Sequence, residues 1–566
     1  MKQSGIRPLK QRKAANAVVL DGIDPIIQRL YAARGITSSD SLDYKLGRLL
    51  PVSSLNSIDE AVALLLRHKG DRIIIVGDFD ADGATSTALV LRCLRDFGFT
   101  DLDYLVPNRF DFGYGLTPEI VRVAAEKSPS LLLTVDNGVS SIDGVLEATK
   151  FGIEVLITDH HLPGKELPAA AVQLNPNLKD SNFASPHLAG VGVAFYLMAA
   201  LGRVLEEAGQ NGAAKIPARY LDLVALGTVA DVVQLDHNNR ILVQQGIQRI
   251  RAGRSVPGIK AILQQAGRSP ERLVSSDLGF TVGPRLNAAG RLEDMSVGIE
   301  CLLTDDSSIA ARLAEVLDGI NKDRRSIEAT MREQAFAFVD SMDNREFPSC
   351  ICLYDKRWHQ GVVGLIAARV RERCHRPVIA FALERDGVLK GSARSVPGVH
   401  IRDLLEAVAS ETPGLIEKFG GHAMAAGLSL AESSFAAFSS AAANMLSKRH
   451  PDADFSGAIV TDGPLPNDAL NLRFARLLRE SGPWGAGFPE PLFQGDFLIT
   501  DQRVVGERHL KLRVTPAGGG DTINAIAFNQ DDPGFRGTVK LAYRLDVNEY
   551  RGSESAQLIV EQIAAL

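Results

Sequence analysis

Cysteine is scarce and poorly spaced for structural chemistry. Five occur in 566 residues, at 93, 301, 350, 352 and 374. They include no C-x-x-C pair, which argues against a disulfide framework and a zinc site. They read as buried thiols of a reducing compartment. Long apolar runs are also missing: the longest, Val191 to Leu201, falls far short of the ~20 residues a membrane-spanning helix needs. The basic start has only Ala14 to Leu20 as an apolar segment, interrupted by Asn16 and running into Asp21, which does not fit a signal peptide. The expectation is a cytoplasmic protein with no membrane partner. No excess of one charge exists, since 62 basic residues face 68 acidic ones for a net −6. That excludes a histone-like polycation but leaves room for a local basic stripe. P-loop and G-x-S-x-G motifs are absent, and no Cys is set beside a plausible catalytic His.

What is present is an ordinary globular composition, 45% hydrophobic and 23% charged, in a chain long enough for about three or four domains at ~100 to 200 residues each. Between 71 and 175, short β-branched runs alternate with amphipathic helical stretches, the pattern of a mostly parallel sheet covered by helices. Strands are predicted at Arg72 to Val76, Leu102 to Val106, Leu131 to Val135, Val155 to Thr158 and Ala170 to Leu174. From Ser307 to Asp340 the composition predicts one helix near ~50 Å long. A second α/β domain follows, with strands at Ser349 to Tyr354 and Pro377 to Leu383 and helices at Val362 to Glu372 and Ile401 to Ser410. After about 455, short strands split by Gly and Pro turns predict a small β-barrel.

The sharpest motif is Gly77-Asp78-Phe79-Asp80-Ala81-Asp82-Gly83, placed after a buried strand and before a helix predicted to start near Thr85. Three carboxylates so close repel one another unless a cation sits among them. An EF-hand reading fails, because the twelfth position is Leu89 rather than Glu and no helix precedes the loop. Two more strands end alike, one in Asp136-Asn137-Gly138 and the other in Asp159-His160-His161. Ligands of open parallel sheets bind at the carboxyl ends of strands. Alone, each motif is as well explained by a helix cap or a surface turn. Together they predict an oxygen-rich, imidazole-containing pocket suited to Mn²⁺ or Mg²⁺.

Asp159-His160-His161 with the Asp78 to Gly83 block resembles the DHH phosphoesterases. Further blocks carry the resemblance: Ala225 to Asp231, Gly283 to Arg291, Trp358 to Gly364, Gly391 to Ser395 and Phe419 to Ala423. Asp78 stands where related pyrophosphatases and short-oligonucleotide hydrolases carry His, which favours the branch of single-strand-specific 5′ exonucleases. The resemblance implies an α/β fold with a DHH-type domain at 70–265 after an N-terminal extension, 1–69. A connector with the long helix spans 266–344, a DHHA1-type domain 345–453 and an OB-like barrel 454–566.

It further implies that Asp78, Asp80, Asp82, Asp136, His160 and Asp231 hold two divalent ions, with Asp136 bridging and Asp78 in or just behind the ligand shell. Asp136, His160 and His161 are the catalytic candidates, and His161 would touch the scissile phosphate or orient a ligand. The implied activity is 5′ to 3′ degradation of single-stranded DNA to mononucleotides in recombination and repair. The partners would be single-stranded DNA, a helicase and a single-strand-binding protein. Two rivals are a hydrolase of short oligonucleotides or cyclic dinucleotides and an inactive replication scaffold.

Between Cys350 and Ala425, 11 Lys and Arg face 8 Asp and Glu, making the second domain the more basic one. A DHHA1-type domain is expected to face the metal site across a cleft. Arg285, Ser392 and Arg394 would then grip a 5′-phosphate, with Arg109, Asn287, His359 and His422 as further DNA contacts. The bland reading of Gly391 to Ser395 is a tight glycine turn. In the barrel, Arg503, Arg508, His509, Lys511 and Arg513 would track the DNA backbone. Trp484, Phe488 and Phe493 are better read as turn packing than as base-stacking groups.

Overall fold

The computed structural model describes residues 6–13, 20–108, 113, 115–342, 347–506, 509–530, 534–550 and 552–566. Contacts divide the chain into two compact units, Met1–Asn287 with Met295–Glu315 and Ala458–Leu566, and Ala288–Asp294 with Val316–Gly457.

The first unit is built on Ile73–Gly77 (β1), Leu102–Leu105 (β2), Leu131–Val135 (β3), Glu154–Thr158 (β4) and Val172–Leu174 (β5). They pair in parallel in the order β2-β1-β3-β4-β5. β1 and β3 are buried throughout, which is why they read as continuous apolar runs rather than alternating ones. Gly77 lies opposite Val135 and Val135 opposite Thr158. The residues that follow, Asp78, Asp136 and Asp159, therefore leave the sheet side by side.

The helix after β1, Ala81–Asp96 (α1), starts four residues before the expected Thr85. Asp80 is the reason: its side chain accepts the N–H groups of Asp82 and Gly83, drawing half of the acidic loop into the first turn. α1 is covered by Gly190–Glu207 (α2) and Leu221–Ala230 (α3). α3 is apolar on nearly all sides and buried from Leu221 to Thr228, as an enclosed helix must be. The N-terminal residues belong to this unit: Leu9–Gln11 pairs with Ile459–Thr461, and buried Arg34 meets Asp462 at 2.9 Å.

Ser307–Ser341 forms the long helix, 35 residues and thus ~52 Å. In the second unit its Met331, Ala335 and Val339 pack with Ile351, Val363 and Val378. That unit's sheet contains Ile351–Tyr354 (β6), Val378–Leu383 (β7), Val388–Arg394 (β8), Lys418–Gly421 (β9) and Ala425–Ala431 (β10), ordered β9-β10-β8-β7-β6. Only β6 and β7 were expected as strands. The glycine-turn reading of Gly391 to Ser395 is corrected, since Gly391 to Arg394 lie in β8. A Cβ at Gly391 would fall 2.5 Å from Phe381 and 2.7 Å from Leu428, so this glycine serves packing rather than a turn.

Back in the first unit, Phe493–Val505 (β11), His509–Pro516 (β12), Ile523–Phe528 (β13), Thr538–Tyr550 (β14) and Ser553–Ala565 (β15) close a barrel in the order β11-β12-β13-β15-β14. β13 and β15 pair in parallel, and the other pairs are antiparallel. The sequence did not announce β15, because its alternation is blurred by small and polar residues. Trp484 stacks on buried Phe488 at 5.1 Å, and Phe493 is buried, in line with packing roles. Four of the cysteines are buried and Cys374 is half-buried. No single helix among the described residues is long and apolar enough to cross a membrane.

Candidate metal centre

Each functional side chain is delivered by a strand end or a helix end. Asp136 takes a left-handed conformation, φ 62°, while its N–H still bonds Thr158 O. Asn137 ties this turn to its neighbours by donating to the carbonyls of Val76 and Val135. A side chain at Gly138, φ 116°, would fall 2.7 Å from Thr134 Oγ1, so the Asp-Asn-Gly order is imposed by the close approach of β1, β3 and β4.

The row of strand ends collects seven carboxylate and imidazole side chains. Asp78, Asp80 and Asp136 form one group with ligand atoms within 4.8 Å of one another; Asp82, His160 and Asp231 form a second, and Asp136, His160 and His161 a third. Asp136 and His160 are thus each shared by two groups. His160 Nε2 lies 3.1 Å from Asp136 Oδ1, 3.5 Å from Asp231 Oδ2 and 4.0 Å from Asp82 Oδ2. Every metal candidate named from the sequence is therefore brought to one place.

Burial makes this cluster self-repelling. It pushes the Asp82 carboxyl up to about 7, helped by Asp80, and drives Asp136 and Asp231 well above the usual carboxylate range, helped by their acidic neighbours. Among the described residues, the buried Oδ1 of Asp136 accepts no hydrogen bond. Clustered carboxylate oxygens with imidazole and no thiolate fit a hard divalent cation such as Mn²⁺ or Mg²⁺.

Two supports had no role assigned from the sequence. Asp82 accepts the N–H groups of Gly190, 2.6 Å, and Val191, 2.9 Å, at the start of α2, so the positive end of a buried helix faces a metal carboxylate. A Cβ at Gly190 would fall 2.5 Å from Asp136 Cβ. The second is Asp159, which accepts from Val139 N, His160 N and His161 N and lies 2.7 Å from His161 Nδ1. Burial opposes its charge, yet the hydrogen bond and charge of His161 hold it at about 2. Burial likewise disfavours the His161 cation, and Asp159 outweighs that, raising the ring to about 9.

The DNA candidates divide between the units. In the first, Asn287 Oδ1 accepts from Ala81 N at 2.8 Å, bracing the metal loop, and Arg285 Nη1 donates to Thr281 O. In the second, Lys390, Ser392 and Arg394 share one face of β8. Arg394 Nη1 donates to Ser392 Oγ at 3.2 Å, and its pKa is lowered by burial and by Arg371. A Cβ at Gly364 would lie 2.9 Å from both side chains, so the start of the helix Val363–Cys374 adjoins them. His359 Nδ1 accepts from Gly361 N, and half-buried His422 bonds Ala425 through its backbone. Arg109 and Arg508 lie outside the described residues. His509, Lys511 and Arg513 share the outer face of β12, and Arg503 sits opposite Lys511.

The carboxyl ends of this parallel sheet, with the start of α1 and the end of α3, gather seven side chains that could hold metal, the arrangement of a divalent-metal phosphoesterase of the DHH class. The matched family models agree in chain order: DHH family, N-terminal domain, over 72–228; DHHA1 domain over 347–448; RecJ OB domain over 461–562. Within that class the chain belongs to the RecJ family. It is similar to the single-stranded-DNA-specific exonuclease RecJ of Escherichia coli (strain K12), 51% identical over 96% of each chain. The RecJ of Salmonella typhimurium is 50% identical over 100% of both chains. The crystal structure of RecJ in complex with Mn²⁺ from Thermus thermophilus superposes with a TM-score of 0.79 at 32% identity, covering 96% of this chain and 76% of that one.

Proposed function

We propose that the chain is a Mn²⁺- or Mg²⁺-dependent exonuclease that degrades single-stranded DNA from the 5′ end to mononucleotides, in recombination and repair. The carrying observation is the pair of ligand groups that meet at Asp136 and His160 on one sheet edge. Asp78, Asp80 and Asp136 would hold one ion and Asp82, Asp231 and His160 the other, with Asp136 between them. When bound, such ions would supply an activated water and stabilise the leaving oxygen of an in-line displacement. The remaining work falls to the protein. His161, held by Asp159, meets the scissile phosphate, while Gly190 and Val191 fix the Asp82 carboxylate.

Ser392 and Arg394 bind phosphate on β8, where a guanidinium and a hydroxyl share one strand face; within the first unit Arg285 is a separate phosphate contact. His359 and His422 serve the same strand. The outward row His509, Lys511 and Arg513 tracks the DNA backbone along the barrel, which favours a long substrate over short oligonucleotides. A substrate of unpaired DNA makes a helicase and a single-strand-binding protein the natural partners, and a cytoplasmic location is the one we propose.

The test is digestion of a long single strand carrying a 5′-terminal label. With Mn²⁺, labelled mononucleotide should appear from the first time point, and both a chelator and a blunt duplex should suppress it. Turnover confined to di- or trinucleotides would establish the short-oligonucleotide hydrolase instead. Strand binding with no turnover in either metal would leave the inactive scaffold.

A further inference from the structure

The segment leading to Arg285 holds an aromatic side chain in solvent. Residues Leu278–Val282 form a π-helical turn, a rare geometry found preferentially at functional sites. Within it Phe280 is 84% exposed while Leu278 and Val282 are fully buried. The turn is anchored on both sides. A Cβ at Gly279 would lie 3.2 Å from Val229 Cγ1, and one at Gly283 would lie 3.1 Å from Ala230 Cβ. Both glycines thus press on the last two residues of α3, which runs directly into Asp231, a member of the metal cluster. Downstream, Arg285 Nη1 bonds the Thr281 carbonyl and Asn287 Oδ1 bonds Ala81 N in the acidic loop.

The backbone carrying Phe280 is therefore fixed between two elements that supply metal ligands, and its ring is left outside. Val232, next to Asp231, adds a second exposed apolar group, 70% exposed, in the left-handed region at φ 64°. A β-branched residue held there is strained, and such strain gathers at working sites. Neither side chain contributes to the buried core, so folding alone does not account for their placement.

We infer that Phe280 is a base-stacking platform of the catalytic unit, receiving the face of an unpaired base of the strand being degraded. Every base has a π-face, so such a contact tolerates all sequences. A base inside a duplex already has both faces covered, so the contact also favours single strands. The inference rests on the nuclease reading above and adds to it a residue that selects unpaired DNA.

The experiment compares wild type, Phe280→Ala and Phe280→Trp on 5′-phosphorylated single strands with Mn²⁺, using strands with one abasic position moved stepwise from the 5′ end. Wild type should lose about 10-fold in kcat/KM at one particular abasic position, the effect of one base–aromatic stack. Phe280→Ala should show that loss on intact DNA, mainly in KM, and no further loss at that position, whereas Phe280→Trp should restore both affinity and position dependence. Phe280→Ala kinetics equal to wild type, or an abasic effect that persists undiminished in the variant, would overturn the inference. A wild type that degrades no single strand would instead remove the nuclease reading. An unchanged melting temperature, expected for so exposed a side chain, separates the loss from misfolding.

Discussion

Gly190 sets how near α2 can come to the metal carboxylates. A methyl group there would sit 2.6 Å from Asp136 Oδ1, so either the carboxylate or the helix start must move. Because ~1 Å of misplacement costs about 10²-fold in rate, Gly190→Ala should lower kcat by roughly that factor while circular dichroism stays native. Asp222 shows a different cost of burial. It is fully buried, accepts from Val256 N at 2.7 Å and has Arg249 at 3.8 Å, and burial raises its carboxyl to about 6. The folded chain thus keeps a proton that the unfolded chain has released between about pH 4 and 6, so stability falls as pH rises through that window, by about 3 kcal/mol in all. Asp222→Asn should flatten this slope in urea unfolding followed from about pH 4 to 7. The candidate metal ligands could be named from the sequence because acids and imidazoles at strand ends are few and conspicuous. The roles of Gly190, Val191 and Asp159 were not legible, since they are set by partners such as Asp82 and His161 that only folding brings near.

Short elements answered to local chemistry and to packing in different measure. β1 and β3 were readable from their β-branched and aliphatic runs, whereas α1 began early because a cap, Asp80, outweighed the expectation of a free acidic loop. β8 was hidden because Gly391 resembles turn chemistry, and only Phe381 and Leu428 explain it. The barrel strand β12 makes a checkable claim at this scale. Its inward residues Leu510, Leu512 and Val514 are buried, and outward His509, Lys511 and Arg513 are basic. Reversing Lys511 and Arg513 to Glu leaves the core untouched and should weaken binding of long single strands. The salt dependence, log K against log salt, should become shallower by about 1.4, at ~0.7 for each phosphate no longer neutralised. An unchanged slope in fluorescence titrations would detach this face from DNA.

For the molecule as a whole, the metal cluster is a folding liability until it is filled. Asp82 and Asp136 are buried, with half-buried Asp231 close by, and all three carboxyls are held far from their ordinary values. Mn²⁺ at about 100 times its dissociation constant should therefore stabilise the protein by about 2.7 kcal/mol. For so large a unit that corresponds to a melting-temperature rise of roughly 3 °C, lost on chelation and absent in Asp136→Ala. The sequence by itself determined the order of domains, the parallel sheet and the identity of the acids and histidines, because strand periodicity and residue chemistry are local properties. Tertiary structure alone decided that Asp136 and His160 would each belong to two ligand groups, and that a distant helix start would hold Asp82. It also left Phe280 in solvent beside the helix that ends at Asp231. Such distances arise only when segments far apart along the chain are packed against one another, and no local pattern encodes them.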